Sequence, residues 1–173
     1  MKRLLTTLVI LTGLFAPSLA VAEEGVQFDE LVERDGLCYE KFADEPFTGK
    51  TVGLRRYAFL NGKKHGPSFR YYENGQLNWK ETWKNGKGEG PSVWYFANGM
   101  LQKKETFKDG KREGSSVAYH EDGLLWWKGT FKDGKREGSW VMFQRDGTID
   151  TNGILSMSHE GSGTYLNDKK VSD

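Results

Sequence analysis

The sequence predicts an all-β fold, an elongated and twisted antiparallel meander of β-hairpin repeats, each 24 residues long. Three observations lead there. Segments running from Asn61 to Lys84, Asn85 to Lys108 and Asp109 to Lys132 align without gaps as NGKKHGPSFRYYENGQLNWKETWK, NGKGEGPSVWYFANGMLQKKETFK and DGKREGSSVAYHEDGLLWWKGTFK, and a fourth opens as DGKREGSWVMFQRDG at Asp133. Each repeat carries two Asn-Gly or Asp-Gly dipeptides, at alternating spacings of 13 and 11 residues. Between these dipeptides the apolar residues recur with period two, the period of a strand with one buried face.

The turn glycines are Gly62, Gly75, Gly86, Gly99, Gly110, Gly123, Gly134 and Gly147. Asn-Gly and Asp-Gly tolerate the positive φ of a tight hairpin turn, which makes them the strongest short-range hairpin signal. On the first strand of each repeat, Phe69 and Tyr71 recur as Val93 and Tyr95, Val117 and Tyr119, and Val141 and Phe143, so they are predicted to share a face. On the second strand, Leu77 and Trp83 recur as Leu101 and Phe107 and as Leu125 and Phe131. Their even separation predicts one face for them as well. Helix is disfavoured because turn dipeptides interrupt every window of 3.6-residue periodicity. Gly66, Gly90, Gly114 and Gly138 precede the first strands, where the missing Cβ either admits a neighbouring ring or backbone or supplies a bulge. About ten to twelve strands follow, enough for the sheet to coil rather than lie flat. One repeat alone is too small: burying a Phe, Val or Leu contributes about 1.5–3 kcal/mol, against about 1–2 kcal/mol per residue for ordering the backbone. The array is therefore expected to fold neighbour on neighbour, with atypical units at its ends.

In chain order, residues 1–22 read as a secretory leader. Lys2 and Arg3 form a basic start, Leu4 to Phe15 an apolar stretch, and Ala20-Val21-Ala22 a small-x-small cleavage site. The apolar stretch falls short of the roughly 20 residues of a spanning helix. Residues 23–60 hold a degenerate repeat, in which Asp35-Gly36-Leu37 resembles a second-strand start and Phe47-Thr48-Gly49-Lys50 a first strand. The array proper occupies 61–149. In 150–173 an insertion precedes a closing strand, because Gly163-Thr164-Tyr165-Leu166-Asn167 echoes Gly129-Thr130-Phe131-Lys132-Asp133 at an offset of 34 residues, ten more than one period.

The combination of N/D-G-K-x-x-G, an aromatic-rich strand, N/D-G-x-L and K-G/E-T-aromatic-K resembles the MORN repeat in its bacterial variant, over about residues 35–170. The resemblance implies an extended sheet that serves as a binding or scaffolding module without catalytic residues. Bacterial members are often labelled as antitoxins of toxin-antitoxin pairs, a role at odds with an export leader. Glu81 and Glu105 also depart from the pattern, standing in the column where Gly129 stands in the third repeat.

Composition and motifs narrow the function. Loss of Lys2 and Arg3 with the leader takes the net charge from +1 to −1, so no overall basic bias favours nucleic acid. The single Cys38 has no internal disulfide partner and reads as a small apolar residue on a strand. His65, His120 and His159 lack metal-ligand spacing, and no G-x-S-x-G elbow is present, so no catalytic residue, metal or cofactor is expected. Glu81 and Glu105, two strands apart, are expected to be solvated or to pair with Lys103 or Lys80. The candidate binding residues are Lys80, Lys104 and Lys128, which recur at one position and form a cationic stripe, with Lys84, Lys108 and Lys132 as a second set. Glu73, Glu89, Glu113, Glu121 and Glu137 dilute the charge on neighbouring strands. Trp126 and Trp127 are adjacent and therefore expected on opposite sides of their strand, leaving one as an exposed contact point. The expected protein is periplasmic or secreted and non-catalytic, and it binds or scaffolds a protein partner. A membrane lipid or cell-envelope polymer held by the lysine columns is the alternative.

Overall fold

The computed structural model describes residues 24–150 and 162–172, so the expected leader and cleavage site lie outside the described residues. Strand β1 (Val26–Gln27) and a 3-10 turn (Phe28–Glu30) precede β2 (Leu31–Arg34), β3 (Leu37–Glu40), β4 (Gly49–Val52), β5 (Arg55–Arg56), β6 (Ala58–Leu60) and β7 (Lys63–Lys64). The array comprises β8 (Gly66–Tyr71), β9 (Leu77–Lys84), β10 (Lys87–Gly88), β11 (Gly90–Tyr95), β12 (Leu101–Lys108), β13 (Lys111–Arg112), β14 (Gly114–Tyr119), β15 (Leu125–Lys132) and β16 (Lys135–Met142). It closes with β17 (Gly163–Leu166) and β18 (Lys169–Ser172). The predicted all-β architecture of consecutive antiparallel hairpins is what forms. A 12-stranded sheet runs from β5 through β8, β9, β11, β12, β14, β15, β16 and β17 to β18, with β10 and β13 paired to its side. One pairing departs from the meander: β1 lies parallel to β4, Val26 beside Thr51, in a separate four-stranded sheet.

The eight turns fall into two kinds. Asn85-Gly86 joins β9 to β10 with both residues at positive φ (51° and 79°) and Lys84 facing Lys87, a two-residue type I′ hairpin. At Asn74-Gly75 only the glycine has positive φ. Its N–H donates to the Tyr72 carbonyl and the Tyr72 N–H to the Gln76 carbonyl, closing a three-residue loop. Asp35-Gly36 (φ 51° and 74°) is of the first kind, so it opens a first strand and not the second strand expected from the sequence.

Turns of the first kind stack on one another. The Asp109 N–H donates to the Glu89 carboxylate at 3.0 Å, that of Asp133 to Glu113 at 2.9 Å and that of Asn167 to Glu137 at 3.1 Å. These glutamates, expected to dilute surface charge, thus hold the turn of the next repeat. The contact spans 20 residues in the first two cases and 30 in the last. The insertion therefore leaves the stacking unchanged, although residues 151–161 themselves lie outside the described ones.

Gly90, Gly114 and Gly138 have positive φ, yet a Cβ there would meet nothing within 4 Å, so close packing is not their role. They accompany a bulge. Pairing changes from Gly88 beside Trp83 to Val93 beside Lys80, a slip of two residues.

A second bulge governs the faces. Arg70 opposes Trp79 but Tyr71 opposes Leu77, leaving Asn78 as the extra residue. Leu77 therefore joins the face of Tyr71, while Trp83, opposite Gly66, joins the other. The common face expected for Leu77 and Trp83 is absent because the bulge resets the alternation, and the same shift recurs at Trp94/Tyr95 and Ala118/Tyr119.

The core sits on the face opposite the valine column. Of Phe69, Val93, Val117 and Val141, only Val93 is buried. The other face carries rings in contact from Phe47 through Phe59, Tyr57 and Trp79 to Trp94, and again from Trp127 through Trp140 to Phe131 and Tyr165. Small residues make room for these rings. The Trp79 indole donates to Ser92 Oγ at 3.2 Å, and a Cβ at Gly129 would lie 2.2 Å from the Trp140 indole. Where the third repeat pairs Gly129 with Trp140, the earlier ones carry Glu81 with Ser92 and Glu105 with Ser116, filling the same space with the opposite partition of volume.

Candidate functional site

The sheet presents two unlike faces. On the first, strand pairing aligns Phe69, Lys80, Val93, Lys104, Val117, Lys128 and Val141 into one column across seven strands. The three lysines, brought together as the repeat predicted, alternate with apolar residues and stand two strands apart, ~10 Å. All three are exposed, and none is in an ion pair among the described residues. Thr82, Thr106 and Thr130 line the neighbouring column. The surface dips into grooves of about 370 Å³ between Lys80 and Lys104 and about 640 Å³ between Lys104 and Lys128.

The aromatic face holds cations over rings at a fixed place in the repeat. Lys64 lies over Trp83 at 4.7 Å, Arg112 over Phe131 at 4.2 Å and Arg136 over Tyr165 at 4.2 Å. In the second repeat Gly88 occupies that position. The consequence falls on the glutamates, which are buried and not solvated. Glu105 pairs with Lys103 at 2.9 Å and Arg112 at 3.6 Å and accepts from Ser116 Oγ at 3.4 Å. Glu81, with Gly88 where Arg112 would stand, has no ion pair within 4 Å among the described residues, and Lys80 lies on the opposite face. Burial pushes its carboxyl up to about 7, with Lys64 opposing, Glu105 adding and Lys103 opposing.

Trp126 and Trp127 do not face opposite ways. The bulge at Ala118/Tyr119 makes Trp126 the extra residue, and both indoles line one depression of about 600 Å³. Trp126 is the more exposed and stacks on His120 with centroids 5.6 Å apart. The sequence reading gave the lysines and the tryptophans as separate contact points, and they belong to different faces. It missed Lys64, Gly88, Arg112 and Arg136, which a column-by-column comparison of the residue after N/D-G-K would have revealed, and it missed His120 as a ring partner. Cys38 sits on β3, where burial, then Glu33, push its thiol up while Lys64 opposes, the wrong direction for a thiolate nucleophile. His65 Nδ1 lies 3.2 Å from Asn85 Oδ1, and His159 lies outside the described residues. Among the described residues no group of three or more His, Cys, Asp or Glu is placed to hold a metal.

Stacked two-stranded units of fixed length define a hairpin-repeat protein. The family model described as MORN repeat variant matches residues 64–85 and 88–109, so these two adjacent units are MORN repeat variants. No curated protein matches the chain. Among solved structures, the chain is similar to one described as accessory secretory protein 1, 2 and 3 in Streptococcus pneumoniae, at 13% identity, 65% coverage of this chain, 20% of that chain and a TM-score of 0.32. A second is described as a GtfA/B complex bound to UDP and GlcNAc, at 15% identity, 74% coverage of this chain, 27% of that chain and a TM-score of 0.24. Likeness at this level carries no inference about fold or function.

Proposed function

We propose that the chain is an exported, non-catalytic binding module whose partner is a protein docked on the lysine face. The observation behind this reading is the column in which Lys80, Lys104 and Lys128 alternate with Val93, Val117 and Val141. Apolar floor between exposed charges suits a protein surface, which combines desolvated contacts with a charged rim. The MORN-variant units are consistent with a binding role, and the leader in residues 1–22 supports export.

A photo-reactive residue placed at Thr106, beside Lys104 on this face, tests the docking in the native cell. Expected is a protein adduct that disappears when Lys80, Lys104 and Lys128 are all replaced by Ala. Adducts to lipid, or adducts formed only from a probe at Gln102 on the opposite face, would refute the reading. N-terminal sequencing of the mature protein tests export separately, with Glu23 expected as its first residue.

A further inference from the structure

We infer that the depression between Ala118 and Trp126 is a binding site for a neutral saccharide, independent of the lysine face. The aromatic ladder breaks at one place. Its rings run up to Trp94 and resume at Trp127, and the strands between contribute Lys103 and Ala118. In this column the other first strands carry Arg70, Trp94 and Met142, so the small Ala118, itself buried, forms a floor with aromatic walls.

What converges on that floor is amphiphilic. The Trp126 indole is exposed and backed by the His120 ring, with Trp94, Phe96 and Trp127 around it. Gln102, Glu121 and Arg145 line the rim, and none of their side chains has a hydrogen bond or ion pair among the described residues. His120 Nε2 is buried without a hydrogen-bond partner. A pyranose ring has the matching chemistry. Its face of polarised C–H bonds lies against the negative face of an indole, while its rim of hydroxyls both donates and accepts. A wholly apolar ligand would leave the buried His120 Nε2 without a partner. Charge favours a neutral ligand: Arg145 and Glu121 oppose each other in sign, and Lys103 is held by Glu105 at 2.9 Å. A volume of about 600 Å³ accommodates a short oligosaccharide.

The test is a titration followed by tryptophan fluorescence and calorimetry. The probes are neutral β-1,4-linked glucose and N-acetylglucosamine oligomers and α-1,4-linked glucose oligomers, with a proline-rich peptide in parallel. Expected is saturable binding of at least one oligosaccharide, unchanged between low and high salt. It should weaken at least tenfold in Trp126→Ala and severalfold in Arg145→Ala, both at the surface and both checked for folding by circular dichroism. The lysine triple variant should bind as the wild type does, which separates this site from the protein-docking face. Silence of every oligosaccharide at millimolar concentration overturns the inference. So does binding untouched by either substitution, or capture of the peptide alone.

Discussion

Glu81 shows how one glycine alters a neighbour's chemistry. With Gly88 in the place of an arginine, the Glu81 carboxyl is buried without a cation at contact distance, and its ionisation moves from 4.5 to about 7. The folded state thus holds the proton more tightly than the unfolded chain. That contribution to stability is complete below pH 4.5 and is lost as pH rises through 7, a fall of at most about 3 kcal/mol. Denaturant midpoints of the wild type should decline from pH 5 to pH 8, and Glu81→Gln should flatten the decline. Gly88→Arg tests the cause. A Cβ there would lie 3.0 Å from Glu81 Oε1 and 3.4 Å from Phe107, and the carboxylate end can swing aside. The guanidinium would then pair with Glu81 and cover Phe107 as Arg112 does with Glu105 and Phe131. About 1 kcal/mol of stabilisation is expected at pH 8, and less at pH 5.

At the scale of elements, Gly129 and Trp140 form a unit equivalent to Glu105 and Ser116. Gly129→Glu alone drives a side chain into the Trp140 ring, and Trp140→Ser alone empties the cluster with Phe131 and Tyr165. The double variant recreates the pairing of the second repeat. Its loss of stability should fall short of the sum of the two single losses by about 0.5–3 kcal/mol in a double-mutant cycle by urea unfolding. Simple additivity would mean that the two positions do not share space. These elements also mark what a reader of the sequence can see. The 24-residue period and the turn glycines are legible because positive φ is a local demand that Asn-Gly and Asp-Gly meet locally. The faces are not, because Asn78, Gln102 and Trp126 become extra residues only when a partner strand fixes the register. The buried column is equally hidden, since Ser68, Ser92 and Ser116 are polar and their burial follows from the rings that cover them.

At the scale of the molecule, the repeat makes one surface several times over. Arg136 reaches Tyr165 and Glu137 reaches Asn167 as Arg112 and Glu113 reach Phe131 and Asp133, so the closing hairpin continues the array beyond the insertion. The lysine stripe was legible for the same reason, because identical positions in identical repeats fall into one column. Binding on such a surface is shared among equivalent contacts. Exposed charges contribute about 0–1 kcal/mol each, so no single lysine dominates. The most direct measurement is the affinity of the purified cross-linked partner for the wild type, for Lys104→Ala and for the variant with Lys80, Lys104 and Lys128 all replaced by Ala. A shared lysine face predicts a loss of a fewfold for the single change, a loss near its cube for the triple change, and weaker binding at high salt. An unchanged triple variant, or a single substitution that abolishes binding in a folded protein, would contradict it.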